Sequence, residues 1–199
     1  MSKELSNIDG QKRCWWCGDD PVYMAYHDTE WGVPLYDDQK LFELLILEGV
    51  QSGLSWITIL RKREGYRRAF DQFDPQKISA YDEAKITELL DNPEIIRNKL
   101  KVNATVTNAK SYLAMQAAGE NFSDFLWSFV DGKPLQNAFE TAEQVPASTP
   151  VSEAMSKALK KRGFKFVGPI VCYAFMQSAG LVNDHMVDCY RYKECQKIK

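Results

Sequence analysis

The stretch from Leu47 to Trp56, LEGVQSGLSW, joins two apolar helical segments and constrains the fold more than any other part of the sequence. Apolar residues recur at helical spacing before it, namely Leu41, Phe42, Leu44 and Leu45. Gly49 and Gly53 are expected to break this first helix, and Ser55 can cap the second one. The sequence therefore predicts two apolar helices that meet at a tight turn.

Glu48 lies on the apolar face of the first helix, because it follows Leu41 by seven residues and Leu44 by four. A carboxylate is unfavourable there, since the face should be buried and the negative end of the helix dipole is close. Trp56 follows across the turn, and together the two side chains could hold a flat, polar, cationic ligand. The alternative is a buried glutamate that is satisfied by a neighbour beside a core tryptophan.

The size and composition are those of an ordinary globular protein. A chain of 199 residues suits one domain, or one domain with a small lobe, and 45% hydrophobic with 26% charged residues is a typical balance. No apolar run approaches a membrane span, and the N-terminal sequence MSKELSNIDG lacks a signal-peptide core. We therefore expect a cytoplasmic protein with no membrane partner.

The positive charges are clustered although the formal net charge is −2. The first cluster comprises Arg61, Lys62, Arg63, Arg67 and Arg68, and the second comprises Lys157, Lys160, Lys161, Arg162 and Lys165. Either cluster could be only a solvated helix face. Two such clusters on a nearly neutral chain are also compatible with a local surface that binds phosphates.

Cysteine and histidine occur in a pattern that is compatible with a metal site. Five cysteines in a chain without an export signal do not indicate a disulfide framework. Cys14 precedes His27 by thirteen residues, and Cys189 follows His185 by four. Two thiols and two imidazoles form a ligand set that structural zinc prefers, although chance could produce this spacing. Cys17 and Cys195 are competing thiols, and the spacing does not exclude them.

The rest of the chain reads as helices and loops. The aromatic-rich segment from Cys14 to Pro34 lacks helical periodicity and is expected to be a docked loop that lines a site or fills the core. The segment from Asp131 to Pro150 is expected to be the longest loop. Because no stretch alternates as a strand would, the fold class is predicted to be all-α.

Two helices near the C-terminal end are separated by the short sequence GFKFVGP. Ser152 is expected to cap the first helix, and the second is expected to run from Ile170 to Ala179. Backbone N–H groups of Gly168 and of the N-terminus of the second helix could bind a phosphate there, with Lys165 beside them. A purely structural helical hairpin would have the same sequence pattern.

These features together resemble the bacterial 3-methyladenine DNA glycosylase I family over residues 14–189. The most specific segments are DPVYMAYHDTEWGVP, LEGVQSGLSWITIL, DFLWSFV, KALKKRGFKFVGP and GLVNDH. The resemblance implies a helix-hairpin-helix DNA glycosylase fold whose N- and C-terminal segments are pinned by one structural zinc. Residue by residue, it places the zinc ligands on Cys14, His27, His185 and Cys189, which leaves Cys17 as an extra thiol.

The resemblance also assigns the residues of the active site. Glu48 is the catalytic residue and reads the adenine edge, and Trp56 stacks on the base. The further walls of the base pocket fall on Trp16, Tyr23, Tyr26 and Trp31. The turn from Gln51 to Leu54 enters the duplex. The positive cluster and the turn before the second helix predict the other DNA contacts, which are Lys160, Lys161, Arg162, Lys165 and Gly168.

The implied activity is hydrolysis of the N-glycosidic bond of 3-methyladenine in double-stranded alkylated DNA, by a monomer that extrudes the base from the helix. Relatives in the wider superfamily that also cleave the backbone carry a lysine where this chain has Ile170, so a monofunctional enzyme is expected. Many relatives use an aspartate near the position of Asn183. Because Asp184 is adjacent, the alignment could be shifted by one residue, and which of the two matches that aspartate stays open.

The alternative function is a non-enzymatic module that recognises DNA damage. A metal-dependent hydrolase is disfavoured because four protein ligands would leave zinc no open position.

The predicted domain organisation is simple. Residues 1–13 are expected to be a flexible extension, residues 14–190 a single helical domain, and residues 191–199 a flexible tail.

Overall fold

The computed structural model describes residues 9–198 and is mostly helical, as predicted. The helices in chain order are α1 Pro21–Thr29, α2 Asp38–Gln51, α3 Trp56–Ala69, α4 Pro75–Ser79, α5 Glu83–Asp91, α6 Lys99–Ala117, α7 Phe122–Trp127, α8 Pro150–Lys161, α9 Pro169–Ser178 and α10 Tyr190–Cys195. Two short strands, β1 Leu135–Gln136 and β2 Val182–Asn183, pair in parallel with Leu135 opposite Val182. These strands are too short to show alternation in the sequence, which explains why the prediction did not include them.

Helix α2 lies at the centre of the molecule. Every residue from Leu41 to Val50 is buried, and the helix packs against α3, α6, α7 and α9. The prediction that Gly49 breaks the helix is wrong, because α2 continues to Gln51. A Cβ at Gly49 would lie 3.1 Å from the Cβ of Phe166, so this glycine permits a close approach of the chain. Gly53, with φ +82°, makes the turn that follows.

The N-terminal aromatic segment is not wholly irregular, and this part of the prediction is wrong. Helix α1 spans Pro21–Thr29, and the Asp20 carboxylate at its N-cap accepts hydrogen bonds from the N–H groups of Val22 and Tyr23. Proline at the first position of a helix fits the same start signal. Because only Tyr26 and His27 of α1 are buried, the helix carries no regular apolar stripe that periodicity could detect.

Helices α8 and α9 form the predicted pair, but α8 starts earlier than expected. Its N-cap is Thr149, whose hydroxyl accepts a hydrogen bond from Ser152 N at 3.2 Å, so the assignment of the cap to Ser152 is wrong. Gly163, with φ +93°, directs the chain out of α8, and Gly168 precedes Pro169 at the start of α9.

The two ends of the described chain meet beside the main core. A second apolar cluster brings together residues from both ends, namely Cys14, Tyr26, Trp31, Met186 and Cys189. The predicted boundary at residue 190 falls at the start of α10, in which Cys195 is buried. Residues 1–8 of the predicted extension and residue 199 lie outside the described residues, and the domain boundaries stay a prediction. Within residues 9–198, none of the helices has the length and apolar content needed to span a membrane.

Candidate functional site

A cavity of about 290 Å³ lies between the N-terminal aromatic segment, the end of α2, the start of α3 and one face of α9. Its lining includes the six residues predicted to bind the base, which are Trp16, Tyr23, Tyr26, Trp31, Glu48 and Trp56. Gln51 from the following turn also lines it. The structure therefore brings these side chains together in one cavity, although they come from distant parts of the sequence.

Glu48 is the acidic centre of this cavity, and only 2% of the residue is exposed. The Ser178 hydroxyl donates a hydrogen bond to Glu48 Oε1 at 2.5 Å, and the Tyr26 hydroxyl donates to Ser178 Oγ at 2.9 Å. Burial raises the pKa of Glu48 from 4.5 to about 8, against the opposing effect of the Ser178 hydrogen bond. The carboxyl group is therefore largely neutral at pH 7 and would ionise beside a cation.

Aromatic rings form the walls around Glu48. The ring centroids of Tyr26 and Trp56 are 5.7 Å apart, and Trp16 lies 4.9 Å from both Tyr23 and Trp31. The indole N–H groups of Trp16 and Trp56 are buried and find no acceptor among residues 9–198. Tilted aromatic walls around a carboxyl group suit a flat ligand that carries positive charge.

Helix α9 supplies cavity residues that the sequence interpretation missed. Ile170, Tyr173, Ala174 and Gln177 follow helical spacing on one face of α9, and Ser178 adjoins them. The polar residues on this otherwise apolar helix were the feature of the sequence that could have indicated a site. However, Glu48, the partner of Ser178, is 130 residues away from it in the chain, so no local pattern links the two.

Asp184 is the second carboxylate of the cavity and is 1% exposed. Its oxygens accept hydrogen bonds from Tyr173 Oη at 2.5 Å, Gln177 Nε2 at 2.8 Å and Asn137 Nδ2 at 2.6 Å. Asn183 donates instead to Gln136 and to the Tyr192 carbonyl, and it does not line the cavity. Of the two adjacent positions left open by the sequence, Asp184 is the one at the cavity.

The Cys and His residues predicted to bind metal form a buried cluster beside this cavity. The ligand atoms of Cys14, His27, His185 and Cys189 all lie within 4.8 Å of one another. Cys189 Sγ is 3.4 Å from His27 Nε2 and 3.5 Å from His185 Nδ1, and Cys14 Sγ is 3.6 Å from His185 Nδ1. Neither Cys17 nor Cys195 belongs to the cluster found among residues 9–198.

The geometry of the cluster fits a tetrahedral metal ion. Ordinary zinc bond lengths place two ligand atoms about 3.3–3.8 Å apart, which matches the three separations of 3.4, 3.5 and 3.6 Å given above, and all four ligand atoms lie within 4.8 Å of one another. His27 Nδ1 faces Asp28 Oδ1 at 2.8 Å, and His185 Nε2 faces the Trp31 carbonyl at 2.9 Å, so each ring is oriented by its other nitrogen. Burial lowers the pKa of His185, which favours the neutral imidazole that a metal requires.

The two positive clusters differ in how far their charges are already neutralised. In the first cluster, Arg63 pairs with Glu30 at 2.7 Å and Arg68 pairs with Glu94 at 2.6 Å, and Arg61 and Arg67 also have acidic partners. In the second, the exposed side chains of Lys160, Lys161 and Lys165 form no ion pair among residues 9–198. These lysines, like the exposed Lys157 of the same cluster, are therefore available to a phosphate.

Arg162 differs from the lysines around it. Its guanidinium pairs with Glu120 at 2.6 Å and lies 4.2 Å from the centre of the Phe125 ring. An arginine that is held in this way is less available to a phosphate than its neighbours.

Three exposed apolar side chains lie on the turn after α2 and around the start of α9. Leu54 at the turn is 38% exposed, Phe166 in the α8–α9 connection is 36% exposed, and Ile170 at the start of α9 is 64% exposed. Of the three, Ile170 also lines the cavity. Exposed apolar side chains close to exposed lysines in the chain are typical of a surface that binds a partner.

Comparison with known proteins identifies the family. The family described as Methyladenine glycosylase matches residues 16–192. The DNA-3-methyladenine glycosylase of Haemophilus influenzae is 57% identical over 177 residues, which cover 89% of this chain and 96% of that protein. DNA-3-methyladenine glycosylase 1 of Escherichia coli is 54% identical over 181 residues, with 91% and 97% covered.

Solved structures give the same result. A crystal structure of 3-methyladenine DNA glycosylase I has a TM-score of 0.89 at 55% identity and covers 90% of this chain and 98% of its own. A structure of the Staphylococcus aureus enzyme, which describes how that protein recognises 3-methyladenine, has a TM-score of 0.83 at 44% identity and covers 86% and 92%. With these matches over nearly its whole length, the chain belongs to the methyladenine glycosylase family.

Proposed function

We propose that this protein is a monofunctional DNA glycosylase that removes 3-methyladenine from alkylated double-stranded DNA in base-excision repair. The observation that carries the proposal is the buried Glu48, enclosed by aromatic rings in a cavity of about 290 Å³. This size is at the small end of the range for ligand pockets, roughly 300–1,000 Å³, as expected for a single base. The names of the relatives in this family support the same substrate.

Glu48 selects the base by charge. Methylation at N3 makes adenine cationic, and a cation that enters the cavity offsets the cost of ionising this buried carboxyl group. Trp56 stacks on the base, and the rings of Trp16, Tyr23, Tyr26 and Trp31 form the walls. A neutral adenine provides no such compensation, so its extrusion is less favourable.

The bond that breaks joins C1′ of the sugar to N9 of the base. Its electron pair passes to the base, which leaves as neutral 3-methyladenine, and water adds to the sugar cation and then loses a proton. Because the leaving group is already cationic, no acid is needed to protonate it. Glu48 therefore acts mainly by raising the fraction of DNA in which the damaged base is extruded and bound.

The cavity lacks the amine that strand cleavage by Schiff-base chemistry would require. Ile170 stands at the position where bifunctional relatives carry lysine, and no lysine is present among the described residues that line the cavity. The product is therefore an abasic site in an intact strand.

DNA binding involves the helix-hairpin-helix formed by α8 and α9. Lys160, Lys161 and Lys165 bind phosphates, Gly168 presents its backbone N–H at the start of α9, and Arg162 contributes less because Glu120 already neutralises it. Leu54, at the tip of the turn from Gln51 to Leu54, fills the gap left by the extruded nucleotide. The protein acts as a monomer.

The four-residue Cys/His cluster holds one structural zinc ion. Cys14, His27, His185 and Cys189 would occupy all four positions of a tetrahedral ion, so the metal would supply no open site for catalysis. Bound zinc would join the two ends of the domain next to the aromatic wall.

A base-release assay distinguishes this function from a module that only recognises damage. The protein is incubated with methylated duplex DNA, with and without a zinc chelator, and free bases are separated by chromatography. We expect release of 3-methyladenine, no adduct after borohydride treatment, and strand breaks only after alkali. Tight binding of the damaged DNA without any release of base would contradict the proposal.

A further inference from the structure

Lys101 connects the start of α6 to the end of α2. Its ammonium group donates hydrogen bonds to the Val50 carbonyl at 2.6 Å and to the Ser52 carbonyl at 2.7 Å. Within residues 9–198 it pairs with no carboxylate. Its charge is therefore directed at the backbone of the segment that begins the turn from Gln51 to Leu54.

The position of Lys101 is favourable for α2 and unfavourable for its own helix. The last turn of α2 contains Glu48 and no basic residue, so the partial negative charge of its terminal carbonyls lacks a cation from the helix itself. Lys101 lies in the first turn of α6, where a positive charge opposes the dipole of that helix. Burial also lowers the pKa of Lys101, so the ammonium loses solvation there.

The turn has few other fixed contacts. Within it, Leu54 N donates to the Gln51 carbonyl at 2.7 Å, and the Ser52 hydroxyl donates to the Gly49 carbonyl at 2.9 Å. Both bonds are local and do not tie the turn to the rest of the molecule. Among the hydrogen bonds found within residues 9–198, the two from Lys101 are the ones that join residues 50–54 to another element.

We propose that Lys101 is a positioning residue for base extrusion, whose ammonium group holds the turn from Gln51 to Leu54 in the geometry in which it enters the duplex. The inference rests on the proposed glycosylase function. Without the ammonium, the turn must be ordered when DNA binds, and that cost lowers the population of extruded base. Glu48 and the aromatic walls of the cavity keep their own contacts, so binding of the free base is preserved.

The experiment compares Lys101→Met, which keeps a long side chain without the charge, with Lys101→Arg, which keeps a cation. A strand methylated with dimethyl sulfate is annealed to its complement or to a strand mismatched opposite each adenine, where extrusion costs less. Single-turnover release of 3-methyladenine is measured on both duplexes. Binding of free 3-methyladenine by each variant is measured separately.

We expect Lys101→Met to lose about tenfold or more on the paired duplex, and less than about threefold on the mismatched one. Lys101→Arg should recover most of the rate, and both variants should bind the free base like the wild type. An unchanged rate on the paired duplex, an equal loss on both duplexes, or a loss of free-base binding would overturn the role. If the wild type releases no 3-methyladenine from either duplex, the proposed function itself fails.

Discussion

Glu48 lies in the last turn of a helix whose residues from Leu41 to Val50 are all buried, and the Ser178 hydroxyl is the donor that meets it. A carboxyl group in this environment favours its neutral form, and its pKa of about 8 reflects burial. Such a group reduces the stability of the free protein at high pH. When a cationic base enters the cavity, its charge compensates for the ionisation of Glu48. The buried carboxyl group therefore favours cationic bases over neutral ones.

The pH dependence of unfolding tests the state of Glu48. Its pKa is higher in the folded protein than the ordinary 4.5, so the folded state binds more protons between pH 4.5 and about 8. The free energy of unfolding should therefore fall as the pH rises through this window, by up to a few kcal/mol in order of magnitude. Glu48→Gln should remove most of this slope. Urea unfolding at pH 5, 7 and 8.5 measures it, and identical slopes for both proteins would disprove the buried-acid description.

Trp56 provides the second residue-scale test. Trp56→Ala should weaken binding of free 3-methyladenine by roughly 1–3 kcal/mol, the range for loss of one stacked base. Tyr36→Ala is the matched control, because Tyr36 is 47% exposed and stacks on Trp127 away from the cavity. Calorimetric titration with the free base should separate the two variants. Equal affinities for Trp56→Ala and the wild type would remove Trp56 from the base site.

At the scale of elements, local signals in the sequence predict most of the helices but only part of the site. The junction of α2 and α3 follows from apolar spacing and from Gly53, and both Glu48 and Trp56 could be identified from it. Helix α1 was missed because its start signals, Asp20 and Pro21, are not followed by an apolar stripe.

Contacts between distant elements are the part that local patterns do not predict. Ser178 and Asp184 reach the cavity through the packing of α9 and β2, and Lys101 reaches α2 from 51 residues away. Arg162 was expected to be a DNA contact, yet its pairing with Glu120 across 42 residues could not be inferred from spacing. In each case the role depends on a partner that only the folded chain supplies.

The salt dependence of DNA binding tests the assignment of α8. Replacing Lys160 and Lys161 with Gln should reduce the slope of log K against log salt by roughly 0.9 for each lost phosphate contact. Arg61 and Arg68 serve as controls because Asp20 and Glu94 already neutralise them. Their replacement with Gln should leave the slope nearly unchanged. A larger effect from the control pair would move the DNA-binding surface to α3.

At the scale of the whole molecule, the Cys/His cluster links segments that are far apart in the chain. Cys14 and His185 are 171 residues apart, so a metal that joins them closes nearly the whole chain into a loop. Closing a loop of this length in the unfolded state costs on the order of 5 kcal/mol of chain entropy. The cluster is therefore expected to contribute to the stability of the domain more than to its chemistry.

Replacement of one proposed metal ligand tests whether the cluster stabilises the domain without taking part in the reaction. His185→Ala should lower the free energy of unfolding by several kcal/mol in order of magnitude, because it opens the link between the two ends. The remaining folded protein should keep its preference for 3-methyladenine over other methylated bases. Elemental analysis of wild-type protein purified without chelators should find one zinc per chain. The assignment would be refuted if wild-type protein purified in this way contained no zinc and had the same free energy of unfolding as His185→Ala.

Selection of a cationic adenine by Glu48 is the central step of the proposed mechanism. The most direct measurement is the set of free bases that the wild type and Glu48→Gln release from DNA treated with dimethyl sulfate. Guanine presents a carbonyl oxygen where adenine presents an amino group, and the carboxylate would repel it. We predict rapid release of 3-methyladenine, little 7-methylguanine, and a loss of roughly one to several orders of magnitude in Glu48→Gln. Efficient release of 7-methylguanine by the wild type, or an unimpaired Glu48→Gln, would contradict the mechanism.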